Sequence, residues 1–107
     1  MELINQNIKQ IRALCAKHSV EVLSVFGSMA SGAATADSDV DLLVTFGEVV
    51  VEQYADNYYD LTVSLENLLG RKVDLITEKT ITNPYLLNSI NRNKVSIYER
   101  GNPSLAA

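Results

Sequence analysis

The chain has 107 residues, of which 47% are hydrophobic, and a formal net charge of −4. This length and hydrophobic content indicate one globular domain with its own core. The acidic balance argues against a non-specific nucleic-acid binder, which is normally basic, and the single cysteine excludes a disulfide within the chain.

The first predicted element is an amphipathic helix over residues 3–17. Its apolar residues recur at the helical spacings of four, three and four: Ile4, Ile8, Ile11 and Cys15. We expect Cys15 in the core and His18, near the end of the helix, at the surface. The N-terminus resembles no secretory signal, and no apolar run is long enough to span a bilayer. A soluble, cytoplasmic protein is therefore expected.

Residues 20–26 are predicted to be a buried strand that leads into a turn of small residues, beginning with Gly27 and Ser28. Gly27 permits a close approach to the backbone. If Ser28 opens a short helix, the free N–H groups at that end can receive phosphate oxygens. The turn is not a Walker loop, because no Gly-Lys-Ser/Thr follows it.

Two carboxylates, Asp39 and Asp41, stand at the mouth of the next predicted strand, which starts at Ser38 and runs through Val44. Residues two apart on a strand point to the same face, with Cα atoms roughly 6.6 Å apart. Such a pair can converge on one cation, and repels without one. The alternative is that Asp37, Ser38 and Asp39 are turn and strand-entry residues and that Asp41 is merely solvated.

The longest predicted helix covers residues 52–69 and ends at Gly70. Its apolar stripe consists of Tyr54, Tyr58, Leu61, Leu65 and Leu68. We expect this stripe to lie in the core or at an interface rather than in an active site.

Residues 72–77 are predicted to be the third strand, in which Asp74 is an isolated acid. A buried, unpaired carboxylate is costly, so Asp74 requires a metal, a hydrogen-bond donor or water. The alternative is an edge position that faces solvent. Arg71 can pair with a carboxylate or a phosphate, or can be solvated.

Asn83 and Pro84 predict the start of a helix over residues 84–92, and Val95 to Tyr98 form a last short strand. The order of elements predicts an α/β (α+β) fold with a mixed sheet of about four strands flanked by helices. Residues 1–101 are expected to form the domain, and residues 102–107 a disordered tail.

The turn at Gly27-Ser28, followed about ten residues later by Asp39-x-Asp41, resembles the nucleotidyltransferase superfamily that includes DNA polymerase β. The run over residues 27–44 looks most like the minimal nucleotidyltransferases. These are small bacterial proteins paired with a HEPN-domain partner as toxin–antitoxin modules. The resemblance extends over nearly the whole chain and implies the nucleotidyltransferase fold.

The resemblance also implies a site. Asp39, Asp41 and Asp74 would hold two Mg²⁺ ions, with Asp74 on the ion nearest the nucleophile. Gly27 and Ser28 would hold the β and γ phosphates of ATP, the substrate from which AMP is transferred.

The acceptor that the resemblance implies is a tyrosine of a HEPN toxin, so the chain would be an enzymatic antitoxin in a hetero-oligomer. Minimal nucleotidyltransferases often have Arg in the turn where Ser31 stands here. The alternative is an antitoxin that neutralises its partner by binding alone. A weaker alternative is a nucleotidyltransferase for antibiotics or other small molecules.

Overall fold

The computed structural model describes residues 1–102, so the predicted tail over 102–107 lies outside the described residues from residue 103 onward. The helices are α1 (Glu2–Gln6), α2 (Ile8–Lys17), α3 (Ser28–Ser31), α4 (Val51–Leu69) and α5 (Pro84–Asn93). The strands are β1 (Val20–Phe26), β2 (Val40–Phe46), β3 (Val73–Thr77) and β4 (Val95–Glu99). A 3₁₀ turn, Glu78–Thr80, follows β3. Within residues 1–102, no helix has the length and apolar character needed to cross a bilayer.

The four strands form one mixed sheet in the order β3-β2-β1-β4. β1 pairs antiparallel with β2 and with β4, whereas β2 pairs parallel with β3. The predicted fold class is therefore confirmed. β3 lies at one edge of the sheet, which places Asp74 on an edge strand.

The main core lies between one face of the sheet and helices α1, α2 and α4. Alternate residues of β2 face this core, namely Val40, Leu42 and Val44. Since side chains alternate along a strand, Asp41 and Leu43 face the opposite side. Cys15 is buried in the core as expected, and burial raises the pKa of its thiol to about 12.

The N-terminal helical segment is broken at Asn7, so the prediction of one helix over residues 3–17 is wrong in this detail. The side-chain amide of Asn7 donates to the carbonyl of Leu3 at 2.8 Å, while its backbone N–H bonds to Ile4. Asn competes with the helical backbone for its own carbonyls in this way. The hydrophobic period continues across the break, which is why periodicity did not reveal it.

The prediction that His18 lies at the surface is also wrong, because His18 is only 3% exposed. One ring nitrogen lies 2.7 Å from the carbonyl oxygen of Leu14, and the other lies 2.6 Å from a carboxylate oxygen of Asp60 in α4. Asn57 of α4 donates to the backbone carbonyl of His18 at 2.7 Å. His18 thus joins the end of α2 to the middle of α4.

We expect Asp60→Asn to make the protein less sensitive to acid. The hydrogen bond from His18 lowers the pKa of Asp60, so this contact stabilises the fold above the unfolded-state pKa of aspartate and is lost as pH falls through the lower folded-state value. Melting temperatures between pH 7 and pH 3 should therefore fall less steeply for Asp60→Asn. The control is Asp56→Asn, which removes the same charge one turn away. Parallel curves for both variants and the parent would contradict the assignment.

The outer edge of β3 is bonded to side chains of the same chain. The backbone N–H of Val73 donates to the Glu66 carboxylate at 3.1 Å, and the Tyr58 hydroxyl donates to the carbonyl of Leu75. The Thr80 hydroxyl donates to the carbonyl of Thr77 at 2.9 Å. Side chains from α4 and from the 3₁₀ turn thus cover this edge.

Candidate active site

The centre of the candidate site is a pair of acids on adjacent parallel strands. Asp41 of β2 and Asp74 of β3 are direct partners in the register, each the second residue of its strand. Asp41 is partly buried and Asp74 is exposed. Burial raises the pKa of Asp41, and the charges of Asp74 and then Asp39 raise it further. The structure therefore places Asp74 and Asp39 each within electrostatic range of Asp41.

Asp74 is exposed on the edge strand, so the alternative of an edge position that faces solvent is the one observed, and the expectation of a buried carboxylate is wrong. The Asp74 carboxylate is therefore hydrated and needs no buried partner. Its nearest strand partner is another acid, Asp41, whose pKa the charge of Asp74 raises. Like charges directly opposite each other on a sheet destabilise it, so the Asp41–Asp74 pair lowers the stability of the fold.

Asp39 lies just before β2, because the strand begins at Val40 rather than at Ser38. The strand alternation argument therefore does not place its side chain. The preceding loop is held by Arg71, whose guanidinium donates to the carbonyls of Thr35 at 2.9 Å and Ser38 at 3.3 Å. Arg71 thus binds loop carbonyls, a role that the sequence analysis did not consider.

Gly27 follows the residue of β1 that pairs with Asp41, and its backbone has φ +70° and ψ −147°. A Cβ atom at this position would lie 2.3 Å from Oδ2 of Asp41, well inside van der Waals contact. The absence of a side chain at Gly27 is therefore what gives the Asp41 carboxylate its space.

Ser28 begins the short helix α3, as the sequence suggested. The first helical bonds run from Ala30 and Ser31 back to the carbonyl of Gly27. The N–H groups of Ser28 and Met29 precede these bonds, so neither has a carbonyl partner within α3. The hydroxyl of Ser31, at the position of the common Arg, donates to the carbonyl of Ser28 at 3.3 Å.

Asp39, Asp41 and Asp74 are the residues that would hold a metal ion. Among residues 1–102, no three His, Cys, Asp or Glu side chains lie close enough together to hold one ion in this conformation. The chemistry nevertheless fits magnesium, because Asp39, Asp41 and Asp74 offer only oxygen ligands. A bound cation would relieve the repulsion that raises the pKa of Asp41.

Tyr58 is a neighbour of the site that the sequence placed only in a helical stripe. Its hydroxyl bonds to the carbonyl of Leu75, the residue after Asp74. Burial raises the pKa of Tyr58, and the charge of Asp74 raises it further. The stripe pattern gave no sign of this contact, because the contact depends on how α4 lies over the edge strand.

Residues 9–102 match the family model described as "Polymerase beta, Nucleotidyltransferase". A protein of Methanocaldococcus jannaschii named "Putative protein adenylyltransferase MJ1379" is 39% identical over 89 residues, which is 83% of this chain and 88% of that protein.

Two solved structures are also similar to this chain. One, described as "Structure of putative minimal nucleotidyltransferase", is 35% identical with a TM-score of 0.74. The match covers 88% of this chain and 92% of the chain in that structure. The other contains a tri-AMPylated Shewanella oneidensis HEPN toxin in complex with MNT antitoxin. It is 16% identical with a TM-score of 0.63, and the match covers 89% of this chain and 71% of the chain in that structure. This similarity shows the fold alone.

Proposed function

Because this chain belongs to the polymerase β nucleotidyltransferase family, we propose that it transfers AMP from ATP to a tyrosine hydroxyl of a HEPN-domain toxin and so acts as its antitoxin. The name of the archaeal relative and the composition of the toxin–antitoxin complex support this activity and this partner. The observation that carries the proposal is the pairing of Asp41 with Asp74 beside the turn at Gly27.

In this proposal Asp39, Asp41 and Asp74 hold two Mg²⁺ ions. Bound there, the ions would stabilise the attacking and leaving oxygens of an in-line displacement. The Ser28 hydroxyl and the N–H groups at the start of α3 bind the β and γ phosphates. The acceptor oxygen bonds to the α-phosphorus as the bond to pyrophosphate breaks, and the hydroxyl proton is released to water.

The direct test is transfer of label from α-³²P-ATP, with Mg²⁺, to a HEPN-domain protein encoded by the adjacent gene. We expect the label on a tyrosine of the partner, and loss of label when that tyrosine is replaced by Phe. Size-exclusion chromatography of the same mixture should show a complex. A partner that binds but acquires no label would contradict the enzymatic proposal.

The second candidate function, an antitoxin that acts by binding alone, is favoured by one observation. Ser31 stands where minimal nucleotidyltransferases often have Arg, and its hydroxyl donates to the carbonyl of Ser28 within the turn. The two functions differ in their response to Asp41→Asn. The variant should lose toxin neutralisation if AMP transfer is required, and should keep it if contact alone suffices.

Chelation of divalent metal should weaken ATP binding at least tenfold, because uncompensated carboxylates would then face an anionic triphosphate. Calorimetric titration of ATP with Mg²⁺ and with EDTA measures this change. Adenosine, which has no phosphates, serves as the control ligand whose affinity should not respond. Equal ATP affinity under both conditions would argue against a metal site at these acids.

A further inference from the structure

A hollow of about 280 Å³ lies between α5 and the turn that follows β1. One wall is formed by Phe26, Gly27 and Ser31, and the opposite wall by one face of α5, including Leu86 and Asn93. The hollow therefore begins at Gly27, one of the two residues proposed to bind phosphate. No function considered so far uses the α5 wall.

The chemistry of the lining favours a flat, neutral, partly apolar group. Phe26, Leu86 and Ile90 supply apolar surface, while Ser89 and Asn93 supply neutral hydrogen-bonding groups. Among the described residues, none that lines the hollow carries a positive charge. A phosphate group would require such charges, whereas apolar walls with a few polar groups are typical of sites for organic ligands.

The hollow lies on the side of the sheet where the donor nucleotide, and not the acceptor, is expected. Across the sheet, Asp74 lies on β3, Asp41 on β2 and Gly27 at the end of β1, with the hollow beside Gly27. An in-line displacement places the attacking oxygen and the leaving pyrophosphate on opposite sides of the phosphorus. The acceptor therefore enters on the Asp74 side, and the hollow is left to the donor nucleotide.

We propose that this hollow receives the nucleobase of the donor nucleotide, an inference that rests on the proposed function. The base lies between Phe26 and Leu86, and the side-chain amide of Asn93 meets its hydrogen-bonding edge. An Asn amide presents both a donor and an acceptor, the pair that adenine complements at N6 and N7. In the ligand-free chain this amide makes a long bond of 3.3 Å to the carbonyl of Ser89, which the base can replace.

The test compares ATP with inorganic tripolyphosphate, each titrated with Mg²⁺ by calorimetry. The parent should bind ATP at least about fivefold more tightly than tripolyphosphate, since base stacking adds to phosphate binding. Asn93→Leu should weaken ATP binding about fivefold, the worth of one hydrogen bond, and leave tripolyphosphate unchanged. Leu86→Ser should act in the same direction, and because Leu86 is already 46% exposed its replacement leaves the helix intact.

The matched control is Asn91→Leu, since Asn91 lines a different hollow of α5 together with Tyr85. This variant should bind both ligands like the parent. Equal affinity of the parent for ATP and tripolyphosphate would overturn the proposal, as would an equal loss of both ligands in Asn93→Leu. If the parent transfers AMP while both hollow variants keep parental ATP affinity, the base site fails and the proposed function stands. If neither ligand binds the parent, both proposals fail.

Discussion

Replacement of Gly27 by alanine should lower AMP transfer by about 100-fold or more, because misplacement of a reacting group by ~1 Å costs about that much. The new Cβ would lie 2.3 Å from Oδ2 of Asp41, so this carboxylate must move. The backbone at φ +70° and ψ −147° is close to a region that only glycine adopts readily, which adds about 1–3 kcal/mol of strain. Transfer of labelled AMP and thermal melting measure the two effects.

Gly70→Ala separates the loss of the site from simple destabilisation. Gly70 also has positive φ, +66°, but a Cβ there would meet nothing within 4 Å. This control should lose stability of the same order and retain AMP transfer at temperatures where the protein is folded. If Gly27→Ala transfers AMP as well as Gly70→Ala does, the contact with Asp41 has no part in catalysis.

The second large effect is expected from replacing either of the two facing acids, Asp41 and Asp74. The two variants should lose different steps. Asp41→Asn should lose ATP binding and AMP transfer together, because Asp41 is proposed to help hold the ions that bind the triphosphate. Asp74→Asn should bind Mg·ATP within a few-fold of the parent and yet fail to transfer AMP. Loss of an interaction made in the transition state lowers turnover more than ground-state binding. Calorimetry with ATP and transfer of labelled AMP give the paired measurement.

Stability provides an internal check on the Asp74 variant. Because Asp74 faces Asp41 directly across β2 and β3, replacement by Asn removes a like-charge contact. The melting temperature should therefore stay level or rise while transfer is lost. A variant that transfers AMP at the parental rate would show that Asp74 is not the third acid, and Glu48 and Glu78 would be the next residues to replace.

The sequence predicted most of the fold because its signals are local. Asn83 caps α5 as expected, accepting from the backbone N–H groups of Tyr85 and Leu86. The apolar run that follows Asp41 in β2 and the glycine that ends α4, Gly70, are likewise visible in the chain. For the site, the spacing of Asp39 and Asp41 predicted that both carboxylates lie on one face of a strand, but Asp39 precedes β2, and the partner of Asp41 on β3 is Asp74.

What the sequence could not predict depends on contacts between distant segments. His18 became a buried residue because α4 brings Asp60 and Asn57 to it, some forty positions along the chain. Arg71 reaches the loop before Asp39 only because β2 and β3 are parallel neighbours. The sequence predicts a close approach to the backbone at Gly27. It does not predict that a Cβ atom there would meet Asp41, which belongs to another strand.

The covering of the β3 edge has a consequence for how another protein can approach the site. The bonds from Glu66, Tyr58 and Thr80 occupy backbone groups that an incoming strand would otherwise use to extend the sheet. Exposed edges invite such strand addition and, with it, fibrillar aggregation. In the proposed function, the acceptor would therefore present a side chain to the acids instead of adding a strand at β3, which suits a folded partner better than an extended peptide.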